Sequence, residues 1–193
     1  MTKQEFLRLA RNYPVAAAIK SAEDMEVALA SDALLLFVLK GDTFQLAPLV
    51  ARAHECGKGV VIHIDLMGGV GKDRAGIQYL RQIGIDAIIT SRSQLVTSGK
   101  AEGLVTIQRL LLTDDVALEA GVRTIARATP DLVEVLPGIL FPEVAPTLRQ
   151  SLSGPFIAGG FIRTPSDVAR VQVAGGILSS SSAKDLWKRS DQP

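Results

Sequence analysis

The chain has 193 residues, of which 47% are apolar, with 21 basic and 20 acidic side chains and a single cysteine, Cys56. That length suits one domain, residues 1–193, with a sizeable core, and the near-neutral balance requires neither nucleic acid nor an anionic membrane as partner, although a local basic patch fits inside a neutral total. No internal disulfide can form, the start Met1-Thr2-Lys3-Gln4-Glu5-Phe6 has no apolar signal core, and the longest apolar run, Ala33 to Leu39, is too short to cross a bilayer, so a cytoplasmic location is expected.

In chain order, residues 1–12 form an extra N-terminal helix packed through Phe6, Leu7 and Leu9. Eight β-rich runs follow: Val15–Lys20, Ala33–Leu39, Gly59–Asp65, Ala87–Arg92, Leu104–Leu110, Leu132–Leu136, Phe156–Phe161 and Gly176–Ser180. Helical periodicity lies between them. In Thr113–Ala128, Val116, Leu118, Val122, Ile125 and Ala126 trace one face; in Phe44–Glu55, Leu46, Leu49, Val50 and Ala53 do the same. Ser21-Ala-Glu-Asp24, Thr164-Pro-Ser-Asp167 and Ser182-Ala-Lys-Asp185 each set a hydroxyl three residues before a carboxylate, the spacing of a capping box. Pro165 suits a first helical position, and Gly57, Gly84 and Gly175 suit helix ends.

Strands alternating with helices imply parallel pairing by right-handed crossovers. Eight units close a compact (β/α)₈ TIM-type barrel with short loops. The alternative is a doubly wound open sheet, but no G-x-G-x-x-G follows the first strand, where Ala18-Ile19-Lys20-Ser21-Ala22 stands.

A barrel builds its site from the loops after its strands, and these strand ends are polar. Lys20, His63, Asp65, Arg92, Arg109 and Glu134 are read as lining a mouth for a polar ligand. His63 and Asp65, two apart on one strand, would share a face. Gln108 and Arg109 are adjacent, so only one of them can face the interior. The seventh strand ends in Gly159-Gly160-Phe161-Ile162-Arg163 and the eighth in Ser179-Ser180-Ser181-Ser182. Glycines let a backbone approach an anion, and hydroxyls and N–H groups before a short helix attract phosphate oxygens. Gly159, Gly160, Phe161, Arg163, Ser180 and Ser181 are therefore the expected phosphate cradle. The spacing is not distinctive of metal ligands, no cofactor motif is evident, and no Ser-His-Asp or Cys-His nucleophilic arrangement appears, so no catalytic residue is assigned. The other reading is a barrel enzyme (synthase, lyase or transferase) acting on a glycerol- or sugar-phosphate, with His63, Asp65 and Glu134 as acid–base candidates.

Five segments occur in this order: His63-Ile64-Asp65-Leu66-Met67-Gly68-Gly69, Ile89-Thr90-Ser91-Arg92-Ser93, Ile107-Gln108-Arg109-Leu110, Val133-Glu134-Val135-Leu136-Pro137-Gly138 and Ala158-Gly159-Gly160-Phe161-Ile162-Arg163-Thr164. With them the chain resembles the glycerol-3-phosphate-responsive antiterminator family, from about Val15 to Trp187. The resemblance implies a non-enzymatic barrel that senses glycerol 3-phosphate, binds the mRNA leader of glycerol uptake and catabolic operons, and regulates transcription by antitermination. The residues themselves say less about RNA. The best basic cluster, Lys184, Trp187, Lys188 and Arg189, is a weak candidate contact, and two such patches on a homodimer would span an RNA hairpin.

Overall fold

The structure, a computed structural model, describes residues 1–189. Its elements are α1 (Lys3–Asn12), β1 (Val15–Ile19), α2 (Ala22–Leu29), β2 (Leu35–Val38), β3 (Gly41–Asp42), α3 (Thr43–Glu55), β4 (Gly59–His63), β5 (Met67–Gly68), α4 (Arg74–Gln82), β6 (Ala87–Thr90), α5 (Ser93–Ala101), β7 (Val105–Leu111), α6 (Asp115–Ala128), β8 (Leu132–Leu136), α7 (Phe141–Ser151), β9 (Phe156–Gly159), α8 (Pro165–Val173) and β10 (Leu178–Ser181). Eight parallel strands close a barrel in the order β1-β10-β9-β8-β7-β6-β4-β2, a TIM-type α/β barrel. The two short strands β3 and β5 pair beside it, tying the loop after β2 to the loop after β4.

Local chemistry sets the helix ends. Ser21 accepts from Asp24 N–H, although the Asp24 carboxylate takes the Lys20 N–H rather than that of the cap. Thr164 and Asp167 form the complete reciprocal box, with Pro165 first in α8. Gly57, Gly84 and Gly175 follow helix ends with φ of 69°, 90° and 81°, where a β-carbon would be strained. Cys56 caps α3 and is exposed.

Residues on alternate positions of each strand fill the barrel: Ala16, Leu35, Phe37, Val61, Ala87, Ile89, Val105, Ile107, Leu132, Ile157 and Leu178 form one cluster. Phe6, Leu9 and Ala10 of α1 belong to that same cluster, so α1 closes the end at which the strands begin. Thr2 caps α1 in a box with Glu5. The opposite strand face packs against the surrounding helices in a second cluster.

The third expected capping box, at Ser182-Ala-Lys-Asp185, does not form. The chain after β10 makes only a 3₁₀ turn, Lys184–Trp187, with Ala183 before it and no side-chain cap. Ser181 takes the role of organiser instead: its buried hydroxyl donates to the Ile162 carbonyl at 2.6 Å and accepts from Ala183 N–H at 3.1 Å. Trp187, 0% exposed, donates its Nε1–H to the Ser181 carbonyl at 2.8 Å. Ser181→Ala strands one buried and one half-buried backbone partner and is expected to lower stability by about 1–2 kcal/mol, measured by urea denaturation. No loss would mean that the clip is idle.

Candidate functional site

The interior layer above Val61, Ile107, Leu132, Ile157 and Leu178 is polar. Two residues further along the same strands stand His63, Arg109, Glu134, Gly159 and Ser180. Arg109 thus takes the interior position of its strand and Gln108 turns outward, donating from Nε2 to Ser93 Oγ at 3.1 Å. Arg109 lies beside Glu134 in register and donates to Glu134 Oε2 through Nε at 2.8 Å and Nη2 at 2.7 Å. The Glu134 carboxyl is 1% exposed; burial pushes its pKa up, and the Arg109 contact works against that rise.

Gly159 serves this pair. A β-carbon there would sit 2.7 Å from Glu134 Oε1. Gly138 presses on the same turn, since its own β-carbon would sit 2.5 Å from the Gly159 nitrogen. The interior seat of Glu134 and the close approach of two backbones explain Gly159, which lies behind the anion cleft described below and not in its wall.

His63 faces Gly159 across the barrel, four strands away in a ring of eight. It is 3% exposed, and neither ring nitrogen has a hydrogen-bond partner among the described residues. Burial, with Arg109 nearby, depresses its pKa to about 4, so the ring is neutral at physiological pH. The expected shared face of His63 and Asp65 is not observed. The strand ends at His63, and Ile64–Leu66 turn into a 3₁₀ helix that breaks the two-residue alternation. Asp65 is still at the mouth. Its carboxylate accepts from Thr90 Oγ1 at 3.0 Å and Ser91 N–H at 2.8 Å, with Arg92 Nε at 3.6 Å, and so knits the loop after β4 to the end of β6.

A candidate anion cleft lies between the loops after β9 and β10. It encloses about 530 Å³ and is lined by Lys20, Gly160, Phe161, Ile162, Arg163, Ser182 and Ala183. Lys20 Nζ reaches Ser182 Oγ at 3.3 Å across the closure of the barrel. Gly160 and Phe161 both have left-handed backbone, with φ of 85° and 60°, which turns the chain sharply over the cleft. Of the six expected cradle residues, Gly160, Phe161 and Arg163 line it. Ser180 faces the barrel interior beside Gly159, and the Ser181 hydroxyl is consumed by the clip on Ile162. The helix end expected after the serine run is a four-residue 3₁₀ turn. The serine of the cleft is Ser182, and Lys20 joins it as a cation. That signal was in the sequence for a closed barrel, because closure brings the first strand's end beside the eighth's.

The basic cluster near the end of the chain is dispersed. Lys184 is held by Asp24 at 2.9 Å and Glu23 at 3.8 Å. Trp187 is core and is removed from the candidate RNA contacts. Lys188 and Arg189 are exposed but lie beside Tyr13, Pro14 and Val15, where β1 begins, at the end of the barrel opposite the mouth.

Among the described residues no helix is long and apolar enough to cross a membrane. Residues 15–187 match the model of the glycerol-3-phosphate responsive antiterminator family. A crystal structure of the glycerol uptake operon antiterminator regulatory protein from Listeria monocytogenes is 36% identical, with a TM-score of 0.86 over 91% of this chain and 95% of that one. A glycerol uptake operon antiterminator-related protein from Thermotoga maritima is 26% identical, with a TM-score of 0.80 over 91% of this chain and 98% of that one. An uncharacterized protein of Escherichia coli K12, YgcP, is 29% identical over 94% of this chain and 95% of its own length. The barrel with a cationic cleft after its seventh and eighth strands belongs to a chain of the glycerol-3-phosphate responsive antiterminator family.

Proposed function

We propose that this chain is a cytoplasmic glycerol 3-phosphate sensor that binds the leader RNA of glycerol uptake and catabolic genes and allows transcription past a terminator. The observation that carries the ligand reading is the cleft of Lys20, Gly160, Phe161, Arg163 and Ser182, whose two cations and left-handed glycine turn suit a phosphate. From there the glycerol moiety would extend over the interior layer toward Arg109, Glu134 and the unpaired ring of His63. Asp65 and Arg92, bound to one another and to the end of β6, would shape the rim. The family match and the names of the Listeria and Thermotoga relatives support the regulatory part.

Glycerol 3-phosphate at ten times its dissociation constant is expected to raise the unfolding free energy by about 1.4 kcal/mol, with glycerol giving nothing and inorganic phosphate less. Lys20→Met is expected to weaken binding about tenfold. Thermal and urea unfolding with each compound reads both. No stabilisation at millimolar glycerol 3-phosphate would sink the sensor reading. The imidazole near Asp65, unpaired among the described residues, favours one rival, a barrel enzyme acting on a glycerol phosphate. Steady turnover of such a compound would decide for it.

A further inference from the structure

Phe161 is in the left-handed region at φ 60°, where a residue with a β-carbon is disfavoured, and its side chain is 62% exposed. The other described non-glycine residue with positive φ, Thr129, is a helix C-cap, where that conformation is commonplace. Nothing comparable accounts for Phe161. Its ring does not enter the core; the next residue, Ile162, does. The strained turn therefore holds a large aromatic out into solvent at the lip of the anion cleft, and packing within the chain does not offset that cost.

The surroundings indicate what covers it. Arg163 places its guanidinium carbon 5.5 Å from the ring centroid. Neither Arg163 nor Lys20 is ion-paired among the described residues, and the nearest acid along the turn, Asp167, is spent on the N–H groups of Arg163 and Thr164. Leu140 in the turn after β8, Leu111 at the end of β7 and Val116 in the first turn of α6 are exposed as well. An exposed aromatic face flanked by two uncommitted cations suits a flat ring on a polyanionic chain: the base stacks and the cations take the backbone.

We propose that Phe161 is a stacking platform for an unpaired base of RNA, with Arg163 shared between that RNA and the phosphate cleft. This rests on the sensor reading above and assigns the RNA to the mouth rather than to the basic end of the chain at Lys188 and Arg189. Sharing of Arg163 also supplies the coupling. The same guanidinium lines the cleft and covers the ring, so an anion in the cleft changes how the platform is presented.

The test uses the full chain with a transcript of the source organism's own glycerol-operon leader, by fluorescence anisotropy at fixed salt with saturating glycerol 3-phosphate. F161L and F161W keep the β-carbon, the backbone N–H and the left-handed strain. We expect F161L to lose about tenfold in RNA affinity, as for one stacked base, and F161W to stay within about twofold of the parent. Ultraviolet cross-linking should place the RNA on the peptide containing residue 161. Equal RNA affinity of F161L and the parent overturns the platform while leaving the sensor reading intact. So does an equal factor of loss for glycerol 3-phosphate and RNA, because the residue would then act through the ligand cleft alone. Loss of self-association in F161L with RNA binding intact assigns the patch to a second copy of the chain. If the parent fails to bind the transcript, the platform falls together with the RNA half of the function.

Discussion

Arg109→Met is expected to cost about 3–5 kcal/mol of stability at neutral pH, because it leaves the Glu134 carboxylate buried without its partner. The carboxylate sits close against Gly159, where an added β-carbon would lie 2.7 Å from Oε1. The substitution removes the favourable term and leaves the desolvation term. The variant Arg109→Met with Glu134→Leu removes both charges and should recover most of the loss, since apolar replacement of a buried pair is often neutral. The pH dependence has a definite sign. Without Arg109, burial raises the folded-state pKa of Glu134 further above its unfolded value, so the deficit shrinks as pH falls through that raised pKa toward 5. Urea denaturation of the three proteins at pH 7 and pH 5 reads all of this. A loss below about 1 kcal/mol in Arg109→Met would show that Glu134 finds another donor.

The second large effect comes from His63. Its pKa is about 4 in the folded chain, against 6.5 for the free side chain. The unfolded chain therefore binds the proton more tightly, and stability rises with pH across the window from about 4 to 6.5. Above that window the group contributes no pH dependence. At 1.36 kcal/mol per unit the full penalty is about 3 kcal/mol, most of which has been lost by pH 4.5. His63→Leu should flatten the acid limb by that amount, while the carboxylate contributions common to both proteins cancel in the comparison. Parallel stability curves for parent and variant between pH 7 and 4.5 would mean that the imidazole is solvated or finds a partner.

Much of the barrel was legible because its signals are local. Strand starts at Val15, Gly59, Ala87, Leu132 and Phe156 coincide with apolar runs after turn residues, and the glycines that end helices act through their own backbone. The misreadings at the mouth have one cause, which is that side-chain direction at a strand's end depends on where the strand stops. Val15-Ala-Ala-Ala-Ile19 ends before Lys20, and β4 ends at His63 rather than Asp65. In the serine run alternation sends Ser180 inward and Ser181 outward, so four like residues have separate fates. Trp187 looked like an exposed aromatic in a basic helix because nothing adjacent in sequence announces Tyr13 or Asp32, which receive that segment from more than 150 residues away. Gly159 was legible as a close-approach glycine, but the group it admits, Glu134, could be identified only from strand register.

The bond between Lys20 and Ser182 spans 162 residues and joins the first strand's end to the last's. A chain emerging from the ribosome presents Lys20 long before Ser182. Until β10 has slotted between β1 and β9, the sheet is an open arc with two bare edges and no anion cleft. On the sensor reading, the cleft is thus completed only when β10 closes the barrel. A fragment lacking β10 would carry nearly every residue of the mouth and still have no cleft.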